Sequence, residues 1–291
     1  MTEITTRDLF VAGVRSKVRE AGPKPLREAV VFLHGNPGSS EDWLDLLRRV
    51  SAFARVVAPD MPGFGKADRP RDFEYTVPGY ARHLGALIEQ LGIDRAHLVL
   101  HDFGGPWGLA WAADHPKSVA SLTLINIGIL PGYRWHKYAR IWRTPLVGEL
   151  FQLVITRFAF RASLNADNPK PFPRAFVDRM YDDLDSGTKR AVLKLYRATS
   201  DLDGMSRALG DRLAPLHLPT LVLWGTADAF LPARYAKEQR KFFDPIEVHL
   251  LEGCGHWPFI DEPERVAALI VPFLRKRLES RSGHEETSHV G

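Results

Sequence analysis

Three titratable residues stand just beyond short apolar runs: Asp102 after His97–Leu100, Asp228 after Thr220–Trp224 and His256 after Glu247–Leu251. A carboxylate nucleophile, with a histidine oriented by a second carboxylate, is a set able to attack carbon and then hydrolyse the product with base-activated water. Asp102 lies in His97-Leu-Val-Leu-His-Asp-Phe-Gly-Gly-Pro-Trp-Gly108, where an apolar run meets a turn and then a helix-forming segment. Gly104 and Gly105 let strand and helix approach closely, which thrusts the residue at the apex above the sheet. The unpaired N–H groups at the helix start favour negative charge there. This is the form of a nucleophile elbow with Asp at its apex and Leu100 where its first glycine usually stands. Each residue also has a plainer reading: Asp102 and Asp228 as helix N-caps, His256 as a turn histidine. The same placement three times, in the order acid, acid, histidine, favours the triad. Asn126 ends the run Leu122–Ile125, but an amide cannot serve as the carboxylate, so the orienting acid is Asp228.

Two loops support that chemistry. His34-Gly-Asn-Pro-Gly-Ser-Ser40 follows the run Ala29–Leu33 and can aim the Asn36 N–H at a reacting oxygen. The Phe103 N–H, next to the nucleophile, is the second expected oxyanion donor. Asp60-Met-Pro-Gly-Phe-Gly65 reads as a tight structural loop. The histidines lack paired ligand spacing and Cys254 is the single cysteine. No metal site, cofactor or disulfide is therefore expected.

These residues need strands to carry them. The runs Ala29–Leu33, Arg55–Ala58, His97–Leu100 and Leu122–Ile125 alternate with helix-like stretches Glu41–Val50, Pro78–Leu91 and Gly104–Asp114. The rhythm returns late, with strands at Thr220–Trp224 and Glu247–Leu251 and helices at Ala233–Lys241 and Pro263–Leu278. Alternation of this kind predicts an α/β fold, a mostly parallel doubly wound sheet with helices on both faces. The stretch from Ile129 to Asp211 breaks the rhythm. It is aromatic, Arg-rich and helical in pattern, as at Trp135–Phe160 and Ser186–Thr199. Residues 1–128 and 212–279 then form the two parts of one core, 129–211 a helical cap over the strands' carboxyl ends, and 280–291 a polar tail.

The 291-residue chain is 45% hydrophobic and 25% charged, ordinary globular composition. Its net charge of +4 comes from basic residues spread along the chain, which argues against a nucleic-acid partner. No apolar run reaches the ~18 residues of a membrane span, and the polar start lacks a signal core. A soluble cytoplasmic protein is expected.

The sequence resembles the α/β-hydrolase superfamily across residues 25–275, through His34-Gly-Asn-Pro, Asp60-Met-Pro-Gly-Phe-Gly, the elbow at Asp102, Trp224-Gly-Thr-Ala-Asp and Gly255-His256-Trp-Pro. Within it, an Asp nucleophile resembles the epoxide hydrolases and the haloalkane or haloacetate dehalogenases, and disfavours serine esterases. The resemblance implies attack at sp³ carbon, an alkyl-enzyme ester on Asp102, and hydrolysis by water activated by His256. For epoxides it also implies two cap tyrosines as acids. Tyr138, in Tyr138-Ala-Arg-Ile-Trp-Arg-Thr-Pro145, is similar to the first. Tyr196, in Leu195-Tyr-Arg-Ala198 and thirty-two residues ahead of Asp228, is similar to the second. Tyr133 and His136 are the alternatives to Tyr138.

Asn36 matches the dehalogenase form of its loop, whereas Phe103 stands where those enzymes usually carry a tryptophan. The expected activity is thus hydrolysis of a small apolar epoxide to a vicinal diol, with haloalkane dehalogenation as the alternative. A non-catalytic ligand receptor is disfavoured by the intact triad. His34, Trp107, Trp135 and Trp257, with Trp142, Phe158 and Phe160, are expected around a largely apolar pocket. The aromatic cap can also bury a homodimer contact.

Overall fold

The computed structural model describes residues 3–23 and 26–287, with side chains as far as residue 279. Eight strands form one sheet: β1 (Thr5–Val11), β2 (Val14–Ala21), β3 (Glu28–Leu33), β4 (Val56–Pro59), β5 (Arg95–His101), β6 (Val119–Ile125), β7 (Thr220–Gly225) and β8 (Ile246–Leu251). Their spatial order is β1-β2-β4-β3-β5-β6-β7-β8. β2 pairs antiparallel with β1 and β4, and all pairs from β4–β3 to β7–β8 are parallel. The central strands are apolar on both faces because both are covered. Along β3, Val31 and Leu33 pack with one core cluster while Val30 and Phe32 pack with the other, all fully buried.

The helices fall into three groups along the chain. α1 (Leu44–Val50), α2 (Val77–Gln90) and α3 (Gly104–Asp114) come before the end of β6. α4 (Lys137–Arg143), α5 (Val147–Val154), α6 (Arg157–Ala166), α7 (Arg174–Asp182), α8 (Ser186–Ala198) and α9 (Leu202–Leu213) all lie between β6 and β7. α10 (Arg234–Glu238), α11 (Pro258–Asp261) and α12 (Pro263–Thr287) return to the sheet. None of the described helices is long and apolar enough to cross a membrane.

Three local expectations are corrected. The β1–β2 hairpin adds two strands where the sequence pattern showed none. The helical stretch 135–160 is three helices, broken at Pro145, next to Leu146 at φ +63°, and again at Ile155–Thr156. α12 continues to Thr287, past the helix end expected at Leu278, while residues 288–291 of the expected tail lie outside the described residues.

Candidate active site

β5 ends at His101, and Asp102 follows at φ +47°, a left-handed conformation rare for a side-chain-bearing residue. Crowding maintains this turn. A Cβ on Gly104 would lie 2.3 Å from the Leu33 carbonyl oxygen, and one on Gly35 would lie 2.3 Å from the Asp102 Cβ. Only glycine lets β5, α3 and the loop after β3 meet so closely. The Asp102 carboxylate accepts the Asn36 backbone N–H at 2.8 Å through Oδ1. The Phe103 amide heads the helix that follows.

β7 and β8 deliver the other two groups. His256 Nδ1 donates to Asp228 Oδ2 at 2.8 Å, and its Nε2 lies 3.5 Å from Asp102 Oδ2. Asp228 Oδ1 accepts the N–H groups of Phe230 (2.7 Å) and Leu231 (2.9 Å). Burial disfavours the charged form of His256, but the Asp228 and Asp102 carboxylates outweigh it and push the ring up to about 10. Burial likewise opposes ionisation of Asp102, yet the hydrogen bond and charge of His256 hold it down to about 2. The resting site is an imidazolium between two carboxylates.

Two partners of the triad escaped sequence reasoning. Asn126, set aside there because it is not a carboxylate, sits at φ +49° past the end of β6. Its amide donates to Asp228 Oδ2 and to the Gly255 carbonyl oxygen, and its Oδ1 accepts the Gly225 N–H. Its position past a strand end, shared with the triad residues, was the available signal. His101 is fully buried, bonds the His256 carbonyl oxygen through Nε2 at 2.8 Å, and is held neutral by burial, its pKa down at about 3.

A cavity of about 70 Å³ lies over Asp102. Asn36, Asp102, His256 and Trp257 line it from loops at the strand ends, and His136, Tyr138 and Tyr196 from the helical segment between β6 and β7, the expected cap. Phe160, Leu164, Trp142 and Phe230 make the wall largely apolar. A smaller neighbouring cavity shares Asp102, His136 and Tyr196 and reaches Phe103, Tyr133 and Trp135. Trp135 therefore lines the side cavity, not the main one.

Three expected pocket residues lie elsewhere. Trp107 is buried in the core, stacked on Tyr80 with ring centroids 4.2 Å apart. His34 is buried beneath the site, donating from Nδ1 to the Gly35 carbonyl and accepting the Met61 N–H on Nε2. Phe158 faces outward and is 80% exposed.

The cap's polar groups differ in where their hydrogens point. The Tyr138 hydroxyl donates to Asp167 Oδ2 at 2.8 Å, so its proton is directed at a carboxylate. The Tyr196 hydroxyl accepts from Asn36 Nδ2 at 3.3 Å, which leaves its own hydrogen free. Burial raises the Tyr196 phenol well above its ordinary pKa, keeping it protonated. His136 caps α4 by accepting the Ala139 N–H on Nδ1 at 3.3 Å. Burial lowers its pKa to about 4, so at neutral pH its single proton is on Nε2. Tyr133 donates to the Phe230 carbonyl oxygen. Among the described residues no group of three or more His, Cys, Asp or Glu side chains gathers as a metal site.

Sequence and structure comparisons agree with this architecture. The family model described as "alpha/beta hydrolase fold" matches residues 28–263. The 2-hydroxymuconate semialdehyde hydrolase of Pseudomonas sp. (strain CF600) is 28% identical over 275 residues, spanning 92% of this chain and 93% of its own. The haloalkane dehalogenase DbeA of Bradyrhizobium elkani USDA94 is 26% identical with a TM-score of 0.83, covering 96% of this chain and 100% of its own. The epoxide hydrolase CorEH has a TM-score of 0.81 over 94% of this chain and 99% of its own, a likeness of fold alone at 20% identity. With a family match spanning both parts of the sheet, the chain belongs to the alpha/beta hydrolase fold family.

Proposed function

We propose that this hydrolase opens epoxides to vicinal diols through a covalent ester on Asp102. The observation that carries the reading is the pairing of a carboxylate nucleophile with two free hydrogen-bond donors, Tyr196 O–H and His136 Nε2–H, on the same cavities. Asp102 attacks an oxirane carbon and the carbon–oxygen bond breaks. The oxygen takes its proton from Tyr196 or His136. Tyr138, bound to Asp167, is left to shape the wall rather than to donate.

Ester formation then changes the triad. Asp102 loses its charge, and with it one of the two carboxylates that keep His256 protonated. His256 releases a proton, which balances the one taken by the ring oxygen, and becomes the base for water. Water attacks the ester carbonyl carbon, the N–H groups of Asn36 and Phe103 hold the oxyanion, and collapse returns Asp102 and frees the diol.

The second reading is dehalogenation by the same triad. Its support is a pair of cavity-lining tryptophans, Trp142 and Trp257, whose indole N–H groups have no hydrogen-bond partner among the described residues. Against it, Phe103 offers no side-chain N–H beside the nucleophile.

Parallel assays with styrene oxide and 1,2-dibromoethane separate the two, by diol against bromide. Diol without bromide is expected, and bromide without diol overturns the proposal. Asp102→Ala is expected to abolish turnover. His256→Gln should accumulate protein heavier by one substrate molecule, read by intact-protein mass spectrometry. Tyr196→Phe and His136→Phe should each slow alkylation by roughly 10²–10⁴-fold, the usual range for a positioned acid.

A further inference from the structure

The polarity of α5 is reversed. Leu150, Leu153 and Val154 face outward at 60%, 78% and 61% exposure, and Leu146, just before the helix, is 82% exposed. The buried positions are Gly148 and Gln152. A helix that turns leucines to solvent and glutamine inward contradicts the usual pattern, and such contradictions mark sites where function has overridden packing.

Gln152 is 5% exposed, lines the main cavity, and makes no side-chain hydrogen bond to any described residue. Asn36 on that wall pairs with Tyr196, Tyr138 with Asp167 and Ser163 with the Phe160 carbonyl, whereas the Trp142 and Trp257 indoles can only donate, so Gln152 offers the wall's one unengaged amide among the described residues. Its neighbours Phe151 and Ile155 also line the cavity and are apolar. Its amide opens onto the cavity, where water or a polar group of a ligand completes it.

The chemistry of the wall narrows the ligand. An amide both donates and accepts. No lysine or arginine lines the cavity and the His256 charge is matched by Asp102 and Asp228, so a carboxylate or phosphate on the substrate would enter without a free counter-charge. We propose that Gln152 recognises a neutral hydrogen-bonding group, a hydroxyl or carboxamide, carried by the substrate away from its oxirane. This rests on the epoxide reading and sharpens it: the natural substrate is a functionalised epoxide rather than a bare hydrocarbon one.

The test compares matched substrates, 1,2-epoxyhexane with 5,6-epoxyhexan-1-ol and 1,2-epoxyoctane with 7,8-epoxyoctan-1-ol. A site built to bind a hydroxyl discriminates against the analogue that lacks it, because its own buried group is left unpaired. In at least one pair the hydroxylated member should have a kcat/KM about tenfold higher or more. That ratio should fall to near one in Gln152→Met. Equal or better turnover of both alkyl epoxides by the native enzyme overturns the assignment, as does a preference that survives in Gln152→Met. Calorimetric binding of 1,2-octanediol and 1,2,8-octanetriol asks the same question without catalysis. Tighter triol binding that Gln152→Met removes upholds the role of Gln152 even if no epoxide is turned over, whereas equal binding of the two ligands sinks it.

Discussion

In the proposed reaction the charge on His256 depends on Asp102, and this coupling sets the order of the two steps. An imidazolium cannot activate water, so with His256 held up at about 10 the resting site is poised for alkylation alone. Asp102→Asn keeps the side chain's volume and removes its charge, as ester formation does. The His256 midpoint should then fall below about 10 toward its ordinary value, followed by ring-proton NMR against pH. An unchanged midpoint would mean that Asp228 alone sets the charge, and the proposed switch would lose its basis. Asp102, Asp228 and His256 were all legible in the sequence because each ends an apolar run, and strand ends in a parallel sheet converge on one edge. The pocket was less legible. Trp107 and Trp142 are the same residue type on helices, yet one is packed against Tyr80 and the other lines the cavity. Tyr138 and His136 are two residues apart, and only their local partners, Asp167 and the Ala139 N–H, decide which hydrogen stays free.

At the scale of elements, the buried parallel strands and α3 read directly from the sequence because continuous apolar runs between helical stretches have one good interpretation. β1 did not: its first four residues are exposed, so an edge strand of polar composition carries almost no apolar signal. The α5 face was hidden for the opposite reason, since its apolar residues point away from the core. The junction of β5 with α3 is the element-level feature that fixes Asp102, the proposed nucleophile. In Gly104→Ala the new Cβ meets two backbone oxygens, those of Leu33 at 2.3 Å and His34 at 2.8 Å. Backbone cannot move aside as a flexible side chain can, so the cost should be about 1–3 kcal/mol. Urea denaturation should show that loss, and turnover should fall with it because Asp102 sits at the same turn. An alanine variant as stable and as active as the native protein would show that this close approach is not needed.

Ion pairs and hydrogen bonds join the helical segment between β6 and β7, the expected cap, to the rest of the fold beside the loops of the candidate site. Arg179 of α7 donates to Ser39 and Asp42, just beyond the loop of Asn36. Lys66 of the core binds Asp183 at 2.6 Å. On the other side, Asn168 donates to Asp261, whose second oxygen accepts the Gly255 N–H next to His256. Arg179 and Asp42 form the most buried of these contacts. Burial pushes the Asp42 carboxyl above its ordinary value, and the Arg179 charge is the main influence pulling it back. A carboxyl whose folded pKa is raised costs nothing while it is protonated and weakens the fold as pH rises through that value. Arg179→Met removes the opposing charge, raises the Asp42 pKa further and strands a buried carboxylate at alkaline pH. The variant should therefore be less stable than the native protein by roughly 3 kcal/mol at pH 8, the scale for breaking a buried pair. The deficit should shrink at pH 5, where Asp42 can take up a proton. Urea denaturation at the two pH values measures both. A deficit that is equal at the two, or larger in acid, would show that Arg179 holds the cap by packing and that its charge does not join cap to core.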